Sequence, residues 1–351
     1  MKILHFIWSL GMGGAENIVV DIANAQSETN DVFLMIGNAE VDNSVQSRLN
    51  QSVSVLRIGR PQGSSNPYWV IKLLVAIRKL KPDVIHLHHC NLAKFGRFLP
   101  YPLILTVHTT GVEITNGGGG FVAICCISKA VLDDVHRRYA NANPILVENG
   151  IVIKSLKQRI GRLQPSFRVV QVSRLDHLTK GQDLLIRALA LVTKTWKSGH
   201  VLVDFIGDGP SLPYLVSLAN TEGVAQQCHF LGATPREKVY SDIGNYDLLV
   251  QPSRIEGFGL TIVEAMAAHL SVLVSDVDGP MEVISHGIYG KYFESSNVES
   301  LANSLILALS SIDDQEMVDQ RNLAYKHVHE KYDVNRTANL YIDIYTGCCG
   351  R

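Results

Sequence analysis

The sequence contains no run of eighteen apolar residues, so it offers no segment that would cross a bilayer as a helix. Its six cysteines, Cys90, Cys125, Cys126, Cys228, Cys348 and Cys349, include no pair at C-x-x-C spacing. That argues against a zinc site and against a disulfide framework, and it fits reduced thiols in a cytoplasmic protein. An excess of either charge is also lacking: 32 basic and 33 acidic residues leave a net charge of −1, and no nucleic-acid partner is expected. Only 19% of residues are charged while 46% are hydrophobic, which describes a chain that buries a core. The opening run MKILHFIWSL has one lysine and no small-residue cleavage site after it, and reads as a first β-strand rather than a signal peptide.

What is present is a regular alternation. At 351 residues two domains of ordinary size fit. Strand-like runs at 2–7, 32–37, 53–58, 84–87, 103–107, 121–127 and 145–147 enclose helical patterns at 15–26, 68–80 and 129–139. The pattern resumes with strands at 167–172, 201–206, 228–231, 248–250 and 272–275, and helices at 183–195, 211–221, 237–243 and 260–267. Such alternation predicts an α/β protein of two doubly wound parallel-sheet domains. The expected division is a first domain over 1–150, a linker over 151–165, a second domain over 166–325 and a final helical segment over 326–351. Gly117–Gly120 reads as a short flexible loop. Charge is uneven: residues 57–102 carry a net +7, leaving −8 for the rest, and such a patch suits an anionic membrane surface or an acceptor bearing diphosphate.

Ligands of open α/β sheets bind beyond the carboxyl ends of the strands, and the polar motifs fall there. In VQPSRIEGFGLTIVEAMAA, Glu256 lies in a strand-to-helix loop and Glu264 about one turn into the helix. Gly257 and Gly259 leave backbone N–H groups open at a helix N-terminus, which attracts phosphate or sugar oxygens. Glu256 is suited to accept hydrogen bonds from sugar hydroxyls and Glu264 to take a diol. Arg174 and Lys180, in VSRLDHLTKG, suit a diphosphate as a fork and a point charge. Gly11-Met12-Gly13-Gly14-Ala15-Glu16 follows the first strand. Glu16 stands where a dinucleotide fingerprint needs its third glycine, which argues against a nicotinamide-dependent oxidoreductase. His108 ends the strand LILTV. His86, His88 and His89 invite a metal reading, but alternation puts His86 and His88 on one side and His89 on the other, so the run does not gather its ligands on one face. Asp276-Val277-Asp278 is formally a D-x-D and reads as a loop, with Glu282 on a helix surface.

PSRIEGFGLTIVEAMA closely resembles the donor-binding signature of glycosyltransferase family 4, retaining enzymes of the GT-B fold, whose two Rossmann-like domains face a central cleft. Gly13-Gly14-Ala15-Glu16 resembles the family's glycine loop near the donor phosphates, and Gly207-Asp208-Gly209-Pro210 its turn near the nucleotide. Arg174…Lys180-Gly181 matches its basic pattern, with Ser173 where glycine is usual. The resemblance implies Glu256, His108, Arg174 and Lys180 as catalytic residues, His108 orienting the sugar. It implies Gly13, Gly14, Gly207, Asp208, Gly257, Phe258, Gly259, Leu260 and Glu264 as donor-binding residues, and histidines at the end of the fourth strand lining the acceptor side. It further implies no metal cofactor, a last helix that crosses back onto the first domain, and transfer of a hexose or N-acetylhexosamine from a nucleotide-diphosphate sugar, UDP-sugar foremost. The expected acceptor is a glycan, such as a lipid-linked O-antigen, capsule or lipopolysaccharide intermediate, reached from the inner face of the cell membrane. The alternative within the same fold is a non-catalytic nucleotide-sugar-binding or membrane-docked assembly protein.

Overall fold

The structure, a computed structural model, describes residues 1–89, 99–114, 120–159, 161, 166–197 and 199–349. Lys94 and Arg97 of the basic stretch, Gly117 to Gly119, and most of the linker residues 160–165 lie outside the described residues. The chain divides into two compact units: Met1–Ile151 with Tyr332–Arg351, and Val152–Lys331.

The first unit is built on β1 (Lys2–Ile7), β2 (Asp31–Asn38), β3 (Ser54–Arg60), β4 (Val84–Leu87), β5 (Leu103–Val107), β6 (Ala123–Cys126) and β7 (Pro144–Leu146). Their order is β3-β2-β1-β4-β5-β6-β7, all parallel. Strands covered by helices on both faces read as unbroken apolar runs, and β4, β5 and β6 are buried at every position. The strand order reverses direction between β1 and β4, which is where an open α/β sheet leaves a crevice at its carboxyl edge. Local chemistry sets the helix boundaries. Helix Pro67–Leu80 opens with Pro67 in its first turn and Asn66 accepting from the Tyr68 N–H at 2.9 Å. Ser128 caps helix Lys129–Arg138 through the Val131 N–H.

The final helix, Val334–Cys349, packs in this first unit. Ile151 N–H donates to the Tyr332 carbonyl at 2.8 Å, and Thr337 Oγ1 donates to the Glu148 carbonyl at 2.9 Å. Its inner face is polar-aromatic, with Tyr341 and Tyr345 fully buried. The chain returns at Tyr332 rather than near 326, because helix Gln315–Lys331 still buries Met317, Ala324 and Val328 in the second unit.

That second unit holds β8 (Phe167–Val172), β9 (Val201–Ile206), β10 (Cys228–Gly232), β11 (Leu248–Gln251), β12 (Ser271–Ser275) and β13 (Lys291–Phe293), ordered β10-β9-β8-β11-β12-β13 and all parallel. Here the order reverses between β8 and β11. The core packs Val169, Val203, Phe205 and Leu248 from the sheet against Leu185 and Leu189 of helix Gln182–Thr195. Leu301, Leu305 and Leu309 of helix Val298–Ser310 join them. This helix is not among the expected elements, although its leucines recur every four residues.

Candidate functional site

In the second unit the loops after β8, β9 and β11 converge at the reversal of strand order. The loop after β8 carries Arg174 and ends in the single helical turn His177–Lys180. The loop after β11 runs alongside it: the N–H groups of Arg254 and Ile255 donate to the Thr179 carbonyl at 2.8 and 3.2 Å. Arg254 forks onto both carboxylate oxygens of Asp183 at 2.8 and 2.9 Å and also reaches the His177 carbonyl at 2.6 Å. That clamp fixes one loop against the other. With the loops registered, Lys180 Nζ donates to Glu256 Oε2 at 2.7 Å, both side chains partly exposed.

Arg174 is exposed, and among the described residues its guanidinium has no partner. The turn after β9 backs this loop. Leu175 N–H donates to the Asp208 carbonyl at 3.0 Å, and Gly207 has φ +137°. A Cβ on Gly207 would stand 2.0 Å from the Ser173 carbonyl oxygen, so only glycine permits this approach. Ser173 itself is accommodated, its Oγ accepting from Gln182 Nε2 at 3.0 Å.

After Glu256 the chain buries Gly257, Phe258 and Gly259. Gly259, at φ +103°, turns it into helix Leu260–Ala267, whose first turn presents N–H groups without intrahelical partners. Glu264 is buried on this helix, with 7% of its surface exposed. Its Oε1 accepts from the Tyr240 hydroxyl at 2.7 Å and pairs with the Arg236 guanidinium at 3.2 Å, while Arg236 also bonds Tyr240. The two signature glutamates therefore sit in different surroundings, one paired at the loop surface and one held inside.

The Asp276-Val277-Asp278 segment is not a loop throughout. Asp278 opens helix Asp278–Val283 instead of continuing a loop, because Gly279 lets that segment press against the Glu256 carbonyl and the Gly257-Phe258 peptide. Asp276 Oδ1 accepts from the Ser295 N–H at 2.8 Å.

In the first unit, Gly13 and Gly14 are exposed at the start of helix Gly14–Gln26, with Gly13 at its N-cap position. Glu16 folds back over Gly13, and burial raises its carboxyl above the usual range. His108 follows β5 and is partly exposed, with Nε2 3.3 Å from His88 Nδ1. His86 and His88 do share one side of β4, but they are not open to an acceptor: they are 0% and 3% exposed. Helices cover both faces of the parallel sheet, so neither side of β4 faces solvent.

With His5 of β1, His86 and His88 offer ring nitrogens within 4.8 Å of one another. Those nitrogens are already engaged. His5 Nδ1 meets His88 Nε2 at 3.1 Å, and His5 Nε2 meets Gln26 Oε1 at 2.8 Å. His86 Nδ1 meets the Tyr345 hydroxyl at 2.6 Å, and His86 Nε2 meets Thr106 Oγ1 at 2.7 Å. Burial holds the cluster neutral, pushing His5 down to about 4, His108 to about 3, and His86 and His88 well below the ordinary range. A neutral hydrogen-bonded cluster explains these contacts without a metal.

Sequence reasoning missed the Arg254–Asp183 clamp, the Tyr240–Arg236 seat of Glu264, and the contributions of His5, Gln26 and Tyr345. Arg254, two residues before Glu256, was the nearest available signal.

Comparison with known proteins follows the same division. A family model described as "Glycosyl transferases group 1" matches residues 152–325, and one described as "Glycosyltransferase Family 4" matches residues 12–154. The chain belongs to glycosyltransferase family 4. It is similar to an uncharacterized glycosyltransferase of Methanocaldococcus jannaschii, 29% identical over 225 residues, covering 63% of this chain and 56% of that protein. It is also similar to the phosphatidyl-myo-inositol mannosyltransferase of Propionibacterium freudenreichii, 27% identical over 267 residues, covering 69% of this chain and 65% of that protein. The chain thus spans under two-thirds of the length of these curated relatives. Among solved structures, Anabaena Alr3699/HepE in complex with UDP and glucose matches with a TM-score of 0.82 at 22% identity, covering 99% of each chain. The fold is GT-B.

Proposed function

We propose that the protein is a retaining glycosyltransferase that moves a hexose or N-acetylhexosamine from a nucleotide-diphosphate sugar, with UDP as the nucleotide, to a lipid-linked glycan acceptor. The observation that carries this reading is the Lys180–Glu256 pair at 2.7 Å, whose Lys180 shares the loop after β8 with the exposed Arg174. A cation for phosphate and a carboxylate for sugar hydroxyls are held side by side at the reversal of strand order. Arg174, Lys180 and the N–H groups opening helix Leu260–Ala267 stabilise charge on the departing diphosphate. Glu256 holds the sugar, and His108 orients it. Because Glu256 is tied to Lys180, we assign it to binding rather than to nucleophilic attack. The bond from the anomeric carbon to phosphate oxygen breaks while the acceptor oxygen bonds the same face, and the acceptor proton passes to the leaving phosphate. UDP is favoured by the HepE complex, and a lipid-borne acceptor by the substrate in the mannosyltransferase's name. The test is thermal shift against a panel of nucleotides and nucleotide sugars, followed by a transfer assay with the stabilising donor. Stabilisation by no nucleotide overturns the reading; stabilisation without turnover on any glycan acceptor leaves the non-catalytic binder.

Since cations and helix termini do the neutralising, transfer should persist in excess EDTA. Asp276→Ala with Asp278→Ala should retain activity. Activity restored only by manganese or magnesium would instead give the D-x-D a ligand role.

The acceptor reading extends to the membrane. In helix Pro67–Leu80, Leu73 and Ile77 are buried in the unit, so the stripe formed with Trp69 and Leu80 is a packing face. The outer face carries Tyr68, Ile71 and Val75 at 55%, 60% and 43% exposure, next to Arg78 and Lys79. Apolar side chains flanked by cations suit an anionic bilayer, each basic residue contributing about 1 kcal/mol. Co-sedimentation with anionic liposomes is expected, weakened by salt and by charge reversal at Lys72, Arg78, Lys79 and Lys81. Binding that ignores lipid charge and salt, or no binding to anionic or neutral liposomes, would leave the face an ordinary solvated one.

A further inference from the structure

The histidine cluster has a direction, and it is set by the returning C-terminal helix. Gln26 Nε2 lies 3.4 Å from the Ala338 carbonyl oxygen and 3.5 Å from the Tyr345 hydroxyl, both on helix Val334–Cys349. A backbone carbonyl only accepts, so the amide must turn its N–H₂ toward Ala338 and its oxygen toward His5. The opposite orientation would set two carbonyl oxygens against each other inside the protein. Gln26 Oε1, 2.8 Å from His5 Nε2, therefore requires the proton on that nitrogen. A neutral His5 then has a bare Nδ1, which accepts from His88 Nε2 at 3.1 Å. His88, neutral as well, has a bare Nδ1 that accepts from His108 Nε2 at 3.3 Å. The same anchor orders a second branch. Tyr345 accepts from Gln26, donates to His86 Nδ1 at 2.6 Å, and leaves His86 Nε2 to donate to Thr106 Oγ1 at 2.7 Å. Thr106 Oγ1 in turn lies 2.9 Å from the Tyr341 hydroxyl.

We propose that Gln26, oriented by the Ala338 carbonyl, is a positioning residue that fixes His108 as its Nε2–H tautomer through His5 and His88, leaving His108 Nδ1 as a hydrogen-bond acceptor only. On the reading that His108 orients the donor sugar, it therefore accepts from a sugar hydroxyl and donates to none. Burial supports the scheme, because it keeps His5, His88 and His108 neutral near pH 7 and a neutral imidazole has one donor and one acceptor. The C-terminal helix thus reaches the end of β5 through four side chains. Its docking and the state of His108 are one linked arrangement.

The test is long-range 1H–15N correlation on histidine-labelled protein, with His108 assigned from a His108→Gln variant. Wild-type His108 should carry its proton on Nε2. Gln26→Leu removes the anchor and should leave His108 as a mixture of tautomers. In that variant kcat for transfer should fall about tenfold with the nucleotide-sugar KM unchanged, the loss expected for one neutral hydrogen bond realised in the transition state. An Nδ1–H tautomer in the wild type overturns the tautomer assignment, and an unaltered His108 in Gln26→Leu overturns the positioning role of Gln26. A shifted tautomer with unchanged kcat overturns instead the part given to His108 in the proposed function. The wild-type spectrum decides the assignment even where Gln26→Leu fails to fold.

Discussion

Glu256→Gln is expected to lower turnover of the nucleotide sugar by about a hundredfold or more, the scale for losing one preorganised charged contact at a reacting centre. Binding of the nucleoside diphosphate alone should be unchanged or tighter. The reason is the 2.7 Å contact between Glu256 Oε2 and Lys180 Nζ: a neutral amide releases Lys180 to the phosphates. Arg174→Ala and Lys180→Ala should each weaken nucleoside diphosphate binding by about 1.5–3 kcal/mol, the range for charge-assisted hydrogen bonds. Arg174→Ala should do so with no change in the melting temperature of the free protein, since the side chain has no partner among the described residues. Glu264→Gln should lower stability, because its buried carboxylate seats Tyr240 and Arg236, and should weaken both ligands if, as the group suited to a diol, it takes the ribose common to them. Calorimetry with the nucleoside diphosphate, beside a transfer assay, separates these variants. Unchanged affinity in both cation variants, or equal losses for the two glutamates on both ligands, would remove the assignment.

The second large effect is acid lability of the first unit. An unfolded histidine takes up a proton below about pH 6.5. Folded His5, buried among His86, His88, Gln26 and Tyr345, does so only below about 4. Between those values the unfolded chain holds more protons, so stability falls as pH drops through that window and is level above it. For His5 alone the loss at pH 5 is about 2 kcal/mol by linkage. His86, His88 and His108 are displaced in the same direction. Glu16, whose carboxyl is raised, opposes them weakly. Urea unfolding at pH 7.5, 6 and 5 in a Trp196→Phe background, where Trp8 and Trp69 report the first unit, should show a midpoint that falls with pH. A midpoint that is flat over this range would mean the cluster is protonated or open in solution.

These expectations depend on features that were unequally legible in the sequence. The E-G-F-G loop, the R…K-G loop and the G-D-G-P turn are local: a glycine that must adopt positive φ, or admit a neighbouring backbone, has to be written at that position. Alternating strands and helices likewise gave two parallel sheets, since period and length are properties of short segments. Alternation also placed His86 and His88 together. It did not show how deeply they lie, because depth depends on which helices cover the sheet.

Partners distant in the chain were a different matter. Lys180 and Glu256 are 76 residues apart, and Gln26 and Tyr345 are 319 apart. Their meeting is decided by strand order and by the return of the last helix, which leave no mark on either segment. For the same reason the apolar stripe of helix Pro67–Leu80 was visible, while the exposed Tyr68, Ile71 and Val75 emerged only once Leu73 and Ile77 were seen to be buried. The sequence by itself determined the two alternating sheets, most of their helices and the glycine-bearing loops at the strand ends. Tertiary structure alone decided which charges pair, which glutamate is buried and which way the histidine protons point, because those follow from contacts between segments that no local pattern encodes.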